Sequence, residues 1–196
     1  MGRSPSPGFR LLLLGFLFLP LAAGCLTSEF KEYRIKLRPD RSGEATIRFV
    51  NVMTESDDTT ATAESDFDEL VGGYLQGTKI ERSNPGLRSV RKRLYEQDGV
   101  LVAEISFAFD SLASMRLFKF DGSSPIMYYV GDRYANEQLV ETNGSYGRDW
   151  MPVVFWPSGS GELFLRTRMV SQASQRRSLL REYREWQAAQ ARPRKQ

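Results

Sequence analysis

Residues 33–49 read Tyr-Arg-Ile-Lys-Leu-Arg-Pro-Asp-Arg-Ser-Gly-Glu-Ala-Thr-Ile-Arg-Phe, and they decide the fold class. Tyr33, Ile35 and Leu37 alternate with Arg34 and Lys36; Ala45, Ile47 and Phe49 alternate with Thr46 and Arg48. A period of two puts every second side chain on one face of an extended chain. With Pro39 to Gly43 supplying turn residues between the runs, the stretch predicts an antiparallel hairpin, apolar on one face and charged on the other. The same alternation returns at Leu101, Ala103, Ile105, Phe107 and Phe109, and Asp98-Gly99 joins that run to Arg88–Glu96 as a second hairpin. Shorter strands are expected at 78–82, 116–120, 126–130, 151–156 and 162–170, with a polar loop over 54–63. Two segments follow a helical period instead. Phe67, Leu70, Val71, Tyr74 and Leu75 form one stripe, preceded by Asp66 and Glu69 at capping-box spacing. Leu179, Tyr183 and Trp186 form another within a terminal helix over 175–191. The expected fold is α+β: an antiparallel sheet with one central helix and a C-terminal amphipathic helix packed on one face.

Composition narrows the chemistry. The chain has 196 residues, 27 Lys+Arg against 24 Asp+Glu, no histidine and one cysteine. Without histidine there is no Ser-His or Cys-His catalysis and no His-ligated metal; one cysteine allows neither an internal disulfide nor a cysteine-rich cluster. The positive surplus is unevenly placed, because Arg3 and Arg10 precede the apolar run Leu11–Leu19 while seven basic residues fall within the last 22. A basic start, a short apolar run and the small residues Ala22-Ala23-Gly24 have the layout of a secretory signal peptide. The run is too short for a spanning helix, which needs roughly 20 apolar residues.

Leu21-Ala22-Ala23-Gly24-Cys25 resembles the lipobox of bacterial lipoproteins, with Ala22 where that family usually has Leu. The resemblance implies cleavage before Cys25, a diacylglycerol on its sulfur and a fatty acid such as palmitate on its amine. It also implies an envelope location facing the periplasm. Leu26, in place of the aspartate of inner-membrane retention signals, points to the outer membrane. Two or three acyl chains would anchor the protein durably, where one would hold it only marginally. The expected organisation is a cleaved peptide over 1–24, a lipidated tether over 25–29, a single α+β domain over 30–191 and a basic tail over 192–196. In element order, residues 30–109 are similar to the split ββαβββ domain of a mycobacterial lipoprotein. Glu32–Leu37 and Met151–Pro157 are similar to segments of uncharacterised lipoproteins of the Bacteroidetes and Chlorobi type, a likeness that supplies no activity.

Several constellations could carry function. Tyr129, Tyr134, Tyr146 and Trp150 lie in an aromatic-rich stretch beside Gly- and Asn-containing loops, and flat rings with polar edges suit a glycan or lipid ligand. Arg177, Arg181, Arg184 and Trp186 would suit an amphipathic helix on anionic headgroups, against the alternative of a helix that closes the sheet. The acids Asp57, Asp58, Glu64, Asp66, Asp68 and Glu69 lack the EF-hand pattern and read as a solvated loop and helix start. Ser28-x-x-Lys31 lacks the partner motifs of penicillin-binding enzymes. Arg88, Arg91, Lys92 and Arg93 read as an exposed strand face and edge, with a site for anions as the competing reading, and no nucleic-acid partner is expected. No cofactor or metal is expected. The leading expectation is a non-enzymatic envelope lipoprotein with a structural or protein-interaction role. A glycan- or lipid-binding module using aromatics at 128–156 comes next, and a carboxylate-dependent envelope hydrolase after it.

Overall fold

The computed structural model describes residues 26–56, 62–130, 136–148, 150–171, 173 and 175–191. Cys25, Tyr134, Asp57, Asp58, the expected signal peptide and the 192–196 tail lie outside them. The structure is mostly antiparallel sheet with a few helices. Strands β1 (Leu26–Leu37) and β2 (Gly43–Ser56) form the first hairpin, with Tyr33 opposite Ile47 and Leu37 opposite Gly43. Strands β3 (Leu87–Gln97) and β4 (Val100–Phe109) form the second. Asp98 and Gly99 both have positive φ, 52° and 74°, the geometry whose twist matches the flanking strands. Later come β5 (Leu117–Phe118), β6 (Ile126–Tyr129), β7 (Glu137–Thr142), β8 (Ser145–Tyr146), β9 (Val153–Trp156), β10 (Glu162–Met169) and β11 (Gln175–Ser178).

Two sheets result. The larger has seven strands in the order β3-β4-β2-β1-β10-β7, with β11 pairing the far end of β2 beyond β4. The smaller has the order β5-β6-β9-β8. One hydrophobic cluster runs through both: Tyr33, Ile35, Ile47, Phe49, Ile105, Phe107, Leu163 and Leu165 from the large sheet meet Ile126, Tyr128, Val154 and Trp156 from the small one. Tyr33 and Tyr128 meet across the join, with ring centroids 5.8 Å apart.

The helical layer covers the other end of this face. Helix α1 (Ala63–Glu69) is capped by Thr62, whose hydroxyl accepts from the Ser65 N–H at 3.1 Å. Asp66, expected to cap, is instead buried and accepts from the Thr54 hydroxyl. The chain continues through Leu70–Leu75 as a wider π-type coil. There Gly77 returns so close to Gly72 and Gly73 that a Cβ would meet their carbonyl oxygens at 2.5 and 2.6 Å. Residues 78–82, expected as a strand, lie mostly in a short helix, α2 (Lys79–Ser83), which buries Ile80. The terminal helix is shorter than expected, α3 (Leu180–Gln190), because Gln175–Ser178 pairs with β2 as β11. It docks through the Tyr183 hydroxyl, which donates to the Leu94 carbonyl at 3.1 Å, and through Trp186 edge-on to Phe67 at 6.3 Å.

Candidate functional site

The small sheet is apolar on both faces, which the sequence of its two central strands imposes: Ile-Met-Tyr-Tyr in β6 and Val-Val-Phe-Trp in β9. Ile126, Tyr128, Val154 and Trp156 point into the core. The alternate positions therefore face outward, and the register aligns them. Phe118 pairs with Met127, Met127 with Phe155 and Phe155 with Ser145; in the next row Tyr129 pairs with Val153. Phe118 is 47% exposed and Tyr129 39%. Just past the Phe118 end of this face Phe120 is 92% exposed, and in the loop before β9 Trp150 is 80% exposed. Strands apolar at every position normally belong to sheets covered on both faces. Met127, Val153 and Phe155 between them are half-buried, and apolar surface left partly open in this way is a candidate interaction site.

Beneath the small sheet lies a buried polar cluster. Glu137, the first residue of β7, accepts from the Lys31 ammonium at 2.9 Å, the Tyr33 hydroxyl at 3.2 Å and the Thr167 hydroxyl at 2.6 Å. Each group satisfies the others' bonding capacity, as buried charge requires. Burial and then the Glu137 carboxylate push the Tyr33 hydroxyl well above its ordinary value near 10, and burial likewise raises Tyr128. A tyrosine harder to ionise when folded contributes stability that is complete below about pH 10 and is lost above it, where the unfolded chain ionises first. An alkaline titration followed by tyrosinate absorbance and circular dichroism should therefore show a late phase coincident with unfolding. That phase should shrink in the Tyr33→Phe, Tyr128→Phe double variant; complete ionisation before unfolding would contradict the assignment.

The sequence candidates separate in space. Trp150 and Tyr129 lie on or beside the exposed face, whereas Tyr146 is half-buried against the core. The residues the sequence did not single out are Phe118 and Phe120; the signal was the alternation of Phe118 with buried Leu117. On the terminal segment, Arg177 and Arg181 bond Glu182, and Arg184 bonds Glu96 through two nitrogens. Trp186 packs on Phe67 and Tyr183, while Arg177, Arg181 and Arg184 remain exposed. Ser28 is fully buried, while Lys31 binds Glu137.

Of the buried acids among the described residues, Glu32, Glu104, Glu137 and Glu182 each bond a lysine or arginine, and Asp66 accepts from the Thr54 hydroxyl. Arg48 lies between Glu32 and Glu104, where a reacting pair would need space. Among the described residues no group of three or more acids or cysteines is arranged to hold a metal, and no helix is long and apolar enough to cross a membrane. A partly open apolar cleft of about 40 Å³ lies between the helical layer and β2–β4, lined by Phe49, Leu70, Tyr74, Ile80, Leu94 and Ile105 among others. Comparison with protein-family models, with curated proteins and with solved structures gave no match.

Proposed function

We propose that this chain is an envelope lipoprotein, tethered through Cys25, that works by binding and not by catalysis. It docks a protein partner through the outer face of its small sheet. The observation that supports this is the aligned row Phe118–Met127–Phe155, flanked by Tyr129 and Val153, in which Phe118 is exposed and Met127 and Phe155 are half-buried. A protein partner suits it better than a glycan. Sugar sites place hydrogen-bonding side chains between their rings, and this row offers Ser145 at one end. The contacts of Trp186 with Phe67 and of Tyr183 with Leu94 support a terminal helix that closes the large sheet, leaving membrane attachment to the lipid. The outer membrane is the destination this reading assigns.

Two measurements test the two halves. Metabolically supplied fatty acid should label the wild type and not Cys25→Ser; equal labelling would remove the anchor. Crosslinking of the lipidated protein in its own envelope should give a discrete adduct that Phe118→Asp abolishes. Phe118 is half exposed, so that change is expected to leave the thermal midpoint within about 2 °C, matching a surface effect of about 0.5 kcal/mol. An adduct unaffected by Phe118→Asp would contradict the docking face.

A further inference from the structure

The face of the large sheet turned away from the hydrophobic cluster carries charge in ordered rows. One row runs Arg93–Glu104–Arg48–Glu32–Arg166 across five strands. It neutralises itself: Arg93 bonds Glu104, Arg48 bonds Glu32 at 2.7 Å, and Arg166 lies 3.7 Å from Glu32. On its other side, Glu44 bonds Arg38 at 2.7 Å and Glu162 lies 3.8 Å from Lys36.

The row between differs. Register places Phe164, Arg34, Thr46, Ser106 and Arg91 side by side on β10, β1, β2, β4 and β3. It contains two arginines, two hydroxyls and no acid. Neither Arg34 nor Arg91 has a carboxylate partner among the described residues, because Glu32, Glu44 and Glu104 are engaged by Arg48, Arg38 and Arg93. Arg34 lies over the Phe164 ring, 4.8 Å from its centroid, a stack that orders the guanidinium while leaving its edge donors open. Thr46 and Ser106 share one hydrogen bond at 3.0 Å, so one hydroxyl proton remains to be donated outward. Strands lie about 4.8 Å apart, and the two arginine stems therefore start about 14 Å apart and can converge over the hydroxyl pair.

We propose that Arg34, Thr46, Ser106 and Arg91 form a shallow binding site for a phosphoryl group. Guanidinium forks from both sides and a hydroxyl from below supply the charge-assisted bonds a tetrahedral oxyanion takes. Of the four basic residues at 88–93, the site uses Arg91, which has no carboxylate partner among the described residues: Arg88 bonds Asp110, Lys92 bonds Glu81 and Arg93 bonds Glu104. A free anion and a lipid headgroup share this chemistry, and the experiment separates them.

Phenylglyoxal, which modifies accessible arginines, tests this on the full-length lipidated protein, with each site read by peptide mass spectrometry. Inorganic phosphate, added to protein in uncharged detergent, should slow modification of Arg34 and Arg91 together while leaving exposed Arg82 unchanged. That result identifies a free anion. Protection that appears only when the protein is placed in phosphatidylcholine vesicles containing phosphatidylglycerol, and not in phosphatidylcholine alone, identifies a headgroup. Arg34→Gln should weaken the protection of Arg91 about tenfold, the loss of one charge-assisted bond. Arg34→Lys should restore it only in part, because an ammonium neither forks nor stacks. Protection of Arg34 and Arg91 no greater than that of Arg82 in either setting would overturn the proposal, as would protection of Arg91 that survives Arg34→Gln.

Discussion

Replacing Glu137 by alanine is expected to lower the unfolding free energy by about 3–5 kcal/mol, the largest effect foreseen for any polar substitution in the chain. The carboxylate is the shared acceptor for Lys31, Tyr33 and Thr167. Its removal leaves an ammonium and two hydroxyls without their partner beneath the small sheet. For a chain of this length a loss of 1 kcal/mol lowers the thermal midpoint by about 2–4 °C, so a drop of about 10 °C is predicted. The pair should nevertheless be replaceable as a unit. Lys31→Met with Glu137→Leu removes both charges and fills the space with apolar atoms, and is expected to cost less than Glu137→Ala alone. Denaturant titration of the two single variants and the double variant measures the coupling directly. Additive effects would show that the two charges do not depend on each other.

A second large effect is expected at Asn143-Gly144, where the chain crosses from β7 in one sheet to β8 in the other. The Asn143 side chain accepts from the indole N–H of buried Trp156 at 2.7 Å and from the Phe164 N–H at 2.8 Å, and donates to the Glu162 carbonyl at 3.1 Å. Asn143→Ala leaves the Trp156 donor without its acceptor at a cost of about 1–3 kcal/mol. Gly144 has no room for a side chain. A Cβ would meet the Phe155 carbonyl at 2.7 Å, Trp156 Nε1 at 2.8 Å and Val154 Cγ1 at 2.9 Å. The carbonyl belongs to a paired strand and cannot yield, so Gly144→Ala is predicted to cost about 1–3 kcal/mol by overpacking. Both changes act on how the small sheet sits against the large one. Each should therefore weaken partner crosslinking although neither residue is on the outer face. A red shift of tryptophan emission should report the loosening around Trp156, and unchanged emission with unchanged stability would contradict this role.

What could be read in advance follows from which signals depend on local order. The two long hairpins announce themselves because each carries an uninterrupted apolar alternation, and Asp98-Gly99 supplies a turn that few other sequences match. Strand β7 was hidden because its buried starting residue is an acid, Glu137, whose partners Lys31 and Thr167 are remote in sequence. Strand β11 was hidden because Gln-Arg-Arg-Ser has no apolar residue; it is held by backbone pairing to Met53–Ser56 and by Arg176 against Glu55. Thr78–Arg82 misled because one apolar residue, Ile80, fits a strand or a single helical turn equally well. The aromatic richness around the exposed face was visible, as were Tyr129 and Trp150. Phe118 was not, since its outward direction depends on which alternate face the core takes. The row Arg34–Thr46–Ser106–Arg91 joins four strands and exists only once their registers are set.

If the outer face of the small sheet docks an envelope partner as proposed, it is covered there, and carbene footprinting measures that cover directly. The lipidated protein is labelled once purified in detergent and once in its native envelope, and labelling is compared residue by residue. Phe118, Met127 and Phe155 are expected to lose most of their labelling in the envelope, while exposed Val140 on β7 labels equally in both. Equal labelling of Phe118, Met127 and Phe155 in the two settings would contradict it.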